Sequence, residues 1–203
     1  MHIITIGREF GSGGRELGKR LADELGYDYY DREIIDSIAE KHEMSSDYVE
    51  KTLEGGNWSK FTFTFGHSFY AYDALQSVKS KLVNEERKIL EEIAKRGRDC
   101  VIVGRNADVT LAEYEPFNIF VCADMDARIE RCRSRASSDE NMTDKQMEKN
   151  IRSIDKNRAD SRSFITDRKW GDKNSYNLIV NTTGREIKKI TPAVAEYINC
   201  WYK

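Results

Sequence analysis

Three glycines fall within four positions, Gly11, Gly13 and Gly14, with Ser12 among them, in the stretch "TIGREFGSGGRELGKRL". Glycine takes positive φ without steric penalty, so such a run can turn successive backbone N–H groups inward. With the start of a helix directly behind, those amides make a cradle for phosphate. An ordinary tight turn needs fewer glycines, so the residues favour an anion site. Arg8 and Arg15 add two permanent cations beside it, and arginine can bind phosphate in a forked manner. The standard phosphate-loop pattern, GxxxxGKS or GxxxxGKT, is nonetheless absent. Gly14 stands where its lysine would be and Arg8 where its first glycine would be. Glu16, early in the helix, either only favours the helix dipole or holds Mg2+ directly or through water.

A second set of cations lies late in the chain. Arg158 and Arg162 are four apart and share one helix face, as do Arg131 and Arg135. Two guanidiniums on one face can clamp phosphate oxygens. Interleaved Asp and Glu residues make a solvated surface the simpler reading for most of the arginines between 128 and 168. Arg105 directly follows a buried strand, which favours a functional role. Asp31 either caps the helix after it or assists an acceptor phosphate or metal-bound water. Trp58, Phe61, Phe63, Phe65, Phe69, Tyr70 and Tyr72 could stack on a base, but alternation at 61, 63 and 65 favours core packing or a homodimer contact. His42 and His67 are isolated, and neither is assigned a catalytic role.

These residues must be held by a scaffold, and the scaffold is written in alternating patterns. Short β-branched or apolar runs at 3–6, 27–30, 100–105, 117–123 and 176–182 read as strands. Helical periodicity fills 17–25, two segments within 33–54, 69–96, 126–138, 143–162 and 185–199, with Ser45 and Ser46 as candidate caps. Trp170-Gly171-Asp172 reads as a structural turn before the last strand. Strands alternating with helices argue for a parallel sheet covered on both faces. Right-handed crossovers then bring Gly7, Asp31 and Gly104-Arg105 to one edge, where such sheets bind ligands.

The chain has 203 residues, enough for one domain with a real core. With 33 basic and 35 acidic residues, the net charge of -2 offers no global attraction to a polyanion. A nucleic-acid polymer is therefore not an expected partner. Apolar runs are too short for a membrane span. "MHIITIG" lacks the pattern of a signal peptide, so the expectation is a soluble cytoplasmic protein. Cys100, Cys122, Cys132 and Cys200 are scattered and read as reduced structural thiols.

"IGREFGSGGRELGKRLADELGYDYYDREII", "CVIVGRNAD" and "IDKNRADSRSFITDRKWGDKNSYNLIVNT" together resemble the cytidylate kinase-like family. The resemblance implies an α/β, three-layer P-loop NTPase fold: a five-stranded parallel sheet in order 2-3-1-4-5, flanked by helices, with a helical lid. It implies ATP- and Mg2+-dependent phosphoryl transfer to a nucleoside monophosphate, CMP or dCMP. On this likeness the chain is a single domain, 1–203, with core 1–125 and 175–203, an acceptor-binding insertion 33–70 and a lid 126–172. Residues 11–16 and Arg8 would hold the donor phosphates, Arg15 among the catalytic residues. Gly14 and Glu16 replace the lysine and threonine of "GAGKGT" in true cytidylate kinases. Asp31 and Arg105 match acceptor-side residues, Asn106 departs from an aspartate, and Arg158 and Arg162, which resemble an arginine-rich lid, would be catalytic with Arg15, Arg158 also binding the acceptor. The replaced loop residues also leave room for a nucleotide- or anion-binding protein without turnover, and Asn106 for a kinase of another small metabolite.

Overall fold

The computed structural model describes residues 1–53, 68–135 and 142–203, with 68–76 described as backbone. The expected aromatic excursion at 55–66 and most of the turn "SSDENMT" lie outside the described residues.

Five parallel strands form the middle layer: β1 (Ile3–Arg8), β2 (Asp28–Tyr30), β3 (Cys100–Val103), β4 (Phe117–Cys122) and β5 (Leu178–Asn181). Their order is β2-β3-β1-β4-β5, as the resemblance implies. β1 is central, with Ile4 opposite Val101 on one side and Phe117 on the other. Side chains alternate between faces along a strand, and both faces here are covered, so β1 and β3 are apolar nearly throughout. Ile3, Cys100 and Ile102 point to one layer, made by α2 (Arg32–Lys41), α3 (Ser46–Leu53) and α4 (Ser68–Lys95). Ile4, Ile6, Val101 and Val103 point to the other, made by α1 (Gly14–Leu25) and α8 (Ile187–Trp201).

The remaining helices sit at the C-terminal edge of the sheet. α5 (Ala107–Thr110) follows β3, while α6 (Met125–Arg133) and α7 (Asp144–Ile165) form a hairpin after β4. The hairpin has its own small apolar cluster of Ile129, Met147 and Ile151. Helix starts follow local chemistry. Ser45 Oγ accepts the Tyr48 N–H at 3.3 Å, so Ser45 is the cap of α3. Thr143 caps α7 in a reciprocal box with Gln146, whose side chain accepts the Thr143 N–H at 2.9 Å. Asp31 stands before α2 but makes no side-chain cap bond. Gly171 takes φ +75° and Asp172 caps the short turn after it, as expected of that tripeptide. The cysteines are free. Among the described residues, no helix is long and apolar enough to cross a membrane.

The Thr143 box holds the first turn of α7 at an exposed position. Thr143→Ala should lower unfolding free energy by about 1 kcal/mol in urea titration, the usual cost of a lost cap.

Candidate active site

β1 delivers the chain into the glycine segment, and several bonds fix its path. Glu9 N–H donates to Val121 O at 3.0 Å, and Thr182 Oγ1 donates to Ser12 O at 2.7 Å. Gly11 and Gly13 adopt φ +78° and +86°, which a side chain would strain. Gly13 then serves as the N-cap of α1 with no side-chain cap bond. The first N–H groups of a helix lack intrahelical partners, so those of Gly14 and Arg15 remain as donors toward whatever lies in front.

A cavity of about 370 Å3 lies there. Five arginines line it, Arg8, Arg15, Arg131, Arg135 and Arg158, against one carboxylate, Glu9. Arg131 donates to Gly11 O at 2.8 Å and to Thr182 O at 3.0 Å, tying α6 to the glycine segment and the chain after β5. Burial, and the charge of Arg135 beside it, pull the Arg131 pKa down. Desolvation raises the pKa of the Cys132 thiol in the same wall, which fits a reduced packing residue. A negative ligand would relieve the crowding of like charge.

A second, smaller cavity of about 50 Å3 adjoins the C-terminal ends of β1 and β3. Arg8 and Arg158 border both cavities. Arg105 borders the small one, its guanidinium drawn to Glu50 at 3.5 Å and Glu86 at 4.0 Å. Gly104, Arg105 and Asn106 take φ +78°, +60° and +48° in succession. Two non-glycine residues in the left-handed region form a local strain of the kind that gathers at ligand sites.

The sequence expectations divide on this geometry. Gly11, Gly13, Gly14, Arg8, Arg15 and Arg158 come together around the larger cavity, and Arg105 and Arg158 around the smaller. Ser12 does not join them. It is fully buried, and both its N–H and its hydroxyl donate to Glu9 O, so it shapes the turn instead. Glu16 faces the outer side of α1, paired with Arg20 at 2.9 Å and Arg135 at 2.6 Å. Its carboxylate is thus engaged by two cations, and its place in the first turn of α1 suits the helix dipole. Arg162 lines the smaller cavity with Arg158. It makes a forked pair with Asp108, at 3.1 and 2.8 Å, and donates to Arg168 O. Burial lowers its pKa, but the hydrogen bonds and charge of Asp108 outweigh this and raise it. A guanidinium so engaged is a strut between α7 and α5. Asp31 is buried and takes Arg15 Nε at 2.5 Å, with Arg8 at 3.8 Å. Sequence reasoning did not single out Phe10 or Asp155, and it read Arg128 only as one of a run of arginines. The available signal was Asp155 one helical turn before Arg158.

The match to known proteins agrees with this arrangement. A model of the cytidylate kinase-like family matches residues 3–184. The chain belongs to that family. A cytidylate kinase from Haloarcula marismortui is 25% identical over 181 residues, 89% of this chain and 80% of its own. A crystal structure of an uncharacterized protein from Eubacterium ventriosum superposes with a TM-score of 0.70 at 22% identity, covering 98% of this chain and 99% of that one. A shikimate kinase from Bacteroides thetaiotaomicron gives 0.57 at 18% identity, covering 98% of each chain. These two likenesses carry the fold. Family and fold together support a phosphotransferase acting on a nucleotide or small metabolite.

In this chain Arg8 sits against the position where the standard pattern has its lysine. A Cβ on Gly14 would lie 2.5 Å from Arg8 Cβ. Arg8, at the first-glycine position of the standard pattern, thus occupies the space that a residue at 14 would need. Gly14→Lys alone should destabilise the protein by about 1–3 kcal/mol, an overpacking cost. The pair Arg8→Gly with Gly14→Lys should lose less than the two single costs summed, as read by denaturant unfolding.

Proposed function

We propose that this chain transfers the γ-phosphoryl group of ATP to a small acceptor, a nucleoside monophosphate such as CMP or dCMP. The observation that carries the reading is the pair of adjoining cavities that share Arg8 and Arg158. The larger has a helix N-terminus, Gly11, Gly13, Gly14 and arginine walls, suited to a triphosphate. Phe10, Met142 and Met147 give it apolar surface for a base. The smaller, with Arg105 at its side, is the acceptor site in this reading.

In the reaction an acceptor oxygen bonds to the γ-phosphorus, and the bond from that phosphorus to the β–γ bridging oxygen breaks. ADP leaves with that electron pair, and the acceptor oxygen's proton, if it carries one, passes to solvent. The protein's work is alignment and positive charge. Arg158, at the boundary of the cavities, and Arg15, half-exposed at the mouth, supply charge to the phosphoryl oxygens in motion. Arg8 and Arg15 together stand in for the missing lysine. Mg2+ would arrive with ATP and neutralise phosphate charge. Asp31 Oδ1 is buried with no hydrogen-bond partner among the described residues, and Asp31 and Glu16 line one cleft beside Arg15; these two carboxylates are the candidates for that ion or its waters.

One observation favours a second acceptor class. Arg105 is already partly neutralised by Glu50 and Glu86. A hydroxyl-rich acceptor of lower charge, a nucleoside or sugar, would leave those pairs in place.

ADP formation measured across CMP, dCMP, other monophosphates, nucleosides and sugars tests the reading. We expect Mg2+-dependent turnover with a monophosphate. ATP binding with no transfer to any acceptor would make this an anion- or nucleotide-binding protein instead. Arg15→Ala should cut kcat/KM by about a hundredfold or more while unfolding at the wild-type temperature, in line with the worth of an arginine in phosphoryl transfer. Arg158→Ala should depress kcat by a similar factor with ATP affinity little changed. Equal loss of both would move Arg158 to the donor side.

A further inference from the structure

Phe10 belongs to the glycine segment by sequence and to the α6–α7 hairpin by contact. Its side chain packs against the hairpin cluster of Ile129, Met147 and Ile151. Its N–H donates to Asp155 Oδ1 at 2.7 Å, and its carbonyl accepts Arg128 Nε at 2.7 Å. Arg128 also pairs through Nη2 with Asp155 Oδ2, and its Nη1 lies 3.5 Å from the Glu9 carboxylate. Arg158 stands over the Phe10 ring, with its guanidinium carbon 5.6 Å from the centroid. Its Nη1 donates to Arg8 O at 3.1 Å and lies 3.8 Å from Asp155 Oδ1.

Asp155 is therefore where the contacts converge. One oxygen holds the backbone of the glycine segment and faces Arg158, and the other holds α6. Arg128 is almost wholly buried, and a buried guanidinium without its carboxylate is costly to keep. We propose that Asp155 is a positioning residue that sets Glu9–Gly11 and Arg158 as one unit, so the hairpin and the anion cradle move together. A lid hinged independently of its phosphate loop would need no such anchor. The proposal rests on the phosphotransfer reading for its catalytic consequence. Its structural half, the coupling of segment to hairpin, stands on the contacts alone.

The test uses the full chain with Asp155→Asn, Arg158→Ala and the double variant. Asparagine offers one acceptor atom where the carboxylate offers two, and it carries no charge. Hydrogen exchange at residues 9–13 should speed up about tenfold, with β1 and β4 unchanged, as expected for loss of one charge-assisted bond. Binding of tripolyphosphate, read by calorimetry, should weaken by a similar factor. The loss of kcat from Asp155→Asn should shrink when Arg158 is already alanine, since the two act as a unit. Should Asp155→Asn fold poorly, Arg128→Lys keeps the charge but loses the fork, and it should speed exchange in the same segment.

Unchanged exchange at 9–13 in a folded variant would overturn the coupling. Fully additive kcat losses would overturn action through Arg158. If the unaltered protein binds neither tripolyphosphate nor ATP, the phosphotransfer reading fails, and the exchange result alone then decides whether Asp155 anchors the segment.

Discussion

A guanidinium taken out of water must find oxygen atoms to face, or the fold loses several kcal/mol. Four arginines around the cleft, Arg8, Arg105, Arg128 and Arg162, are each less than a tenth exposed. Each meets an acid from another part of the chain: Asp31, Glu50 with Glu86, Asp155, and Asp108 respectively. These pairs join β1 to the start of α2, β3 to α3 and α4, α6 to α7, and α7 to α5. The apolar layers build the sheet, but this set of buried charges determines how the helices meet at its C-terminal edge.

The same need explains why cationic residues are plentiful where the usual lysine is absent. With Arg8 filling the space beside Gly14, a side chain at that position would force its neighbour to shift. Positive charge instead comes from the walls: Arg15 at the mouth, Arg131 and Arg135 from α6, Arg158 from α7. Such charges are borne on separate elements, so the field at the cavity depends on the packing of the hairpin. A single lysine rooted in the loop would carry its charge regardless of where the hairpin stood.

Much of the sheet was legible because a parallel strand buried on both faces is a plain apolar run, as in "IITI" and "CVIV". β5 was harder to bound, since Ile179 faces outward and only Leu178–Asn181 pairs in the sheet. Within the candidate site, glycine spacing located the turn into α1, with Gly11 and Gly13 at positive φ, because backbone conformation is a local property. The fate of each arginine was not local. The spacing of Arg158 and Arg162 does set both beside the smaller cavity, yet nothing nearby in sequence reveals that Asp108, 54 positions earlier, engages Arg162. Asp31 shows the same limit: its position suited a cap, and a cation from the preceding helix claimed its carboxylate. A serine among glycines looks exposed in sequence, yet Glu9 O folds back to receive both of the Ser12 donors.

The left-handed run after β3 bears on the exchange of Asn for Asp at position 106. Only glycine, asparagine and aspartate enter that backbone region readily, because a short polar side chain can bond locally. The backbone at 106, φ +48°, thus suits a short polar side chain or glycine. Asparagine preserves the shape of the corner while deleting one negative charge. The charge beside the smaller cavity can therefore differ at this position while the turn that carries it keeps its shape.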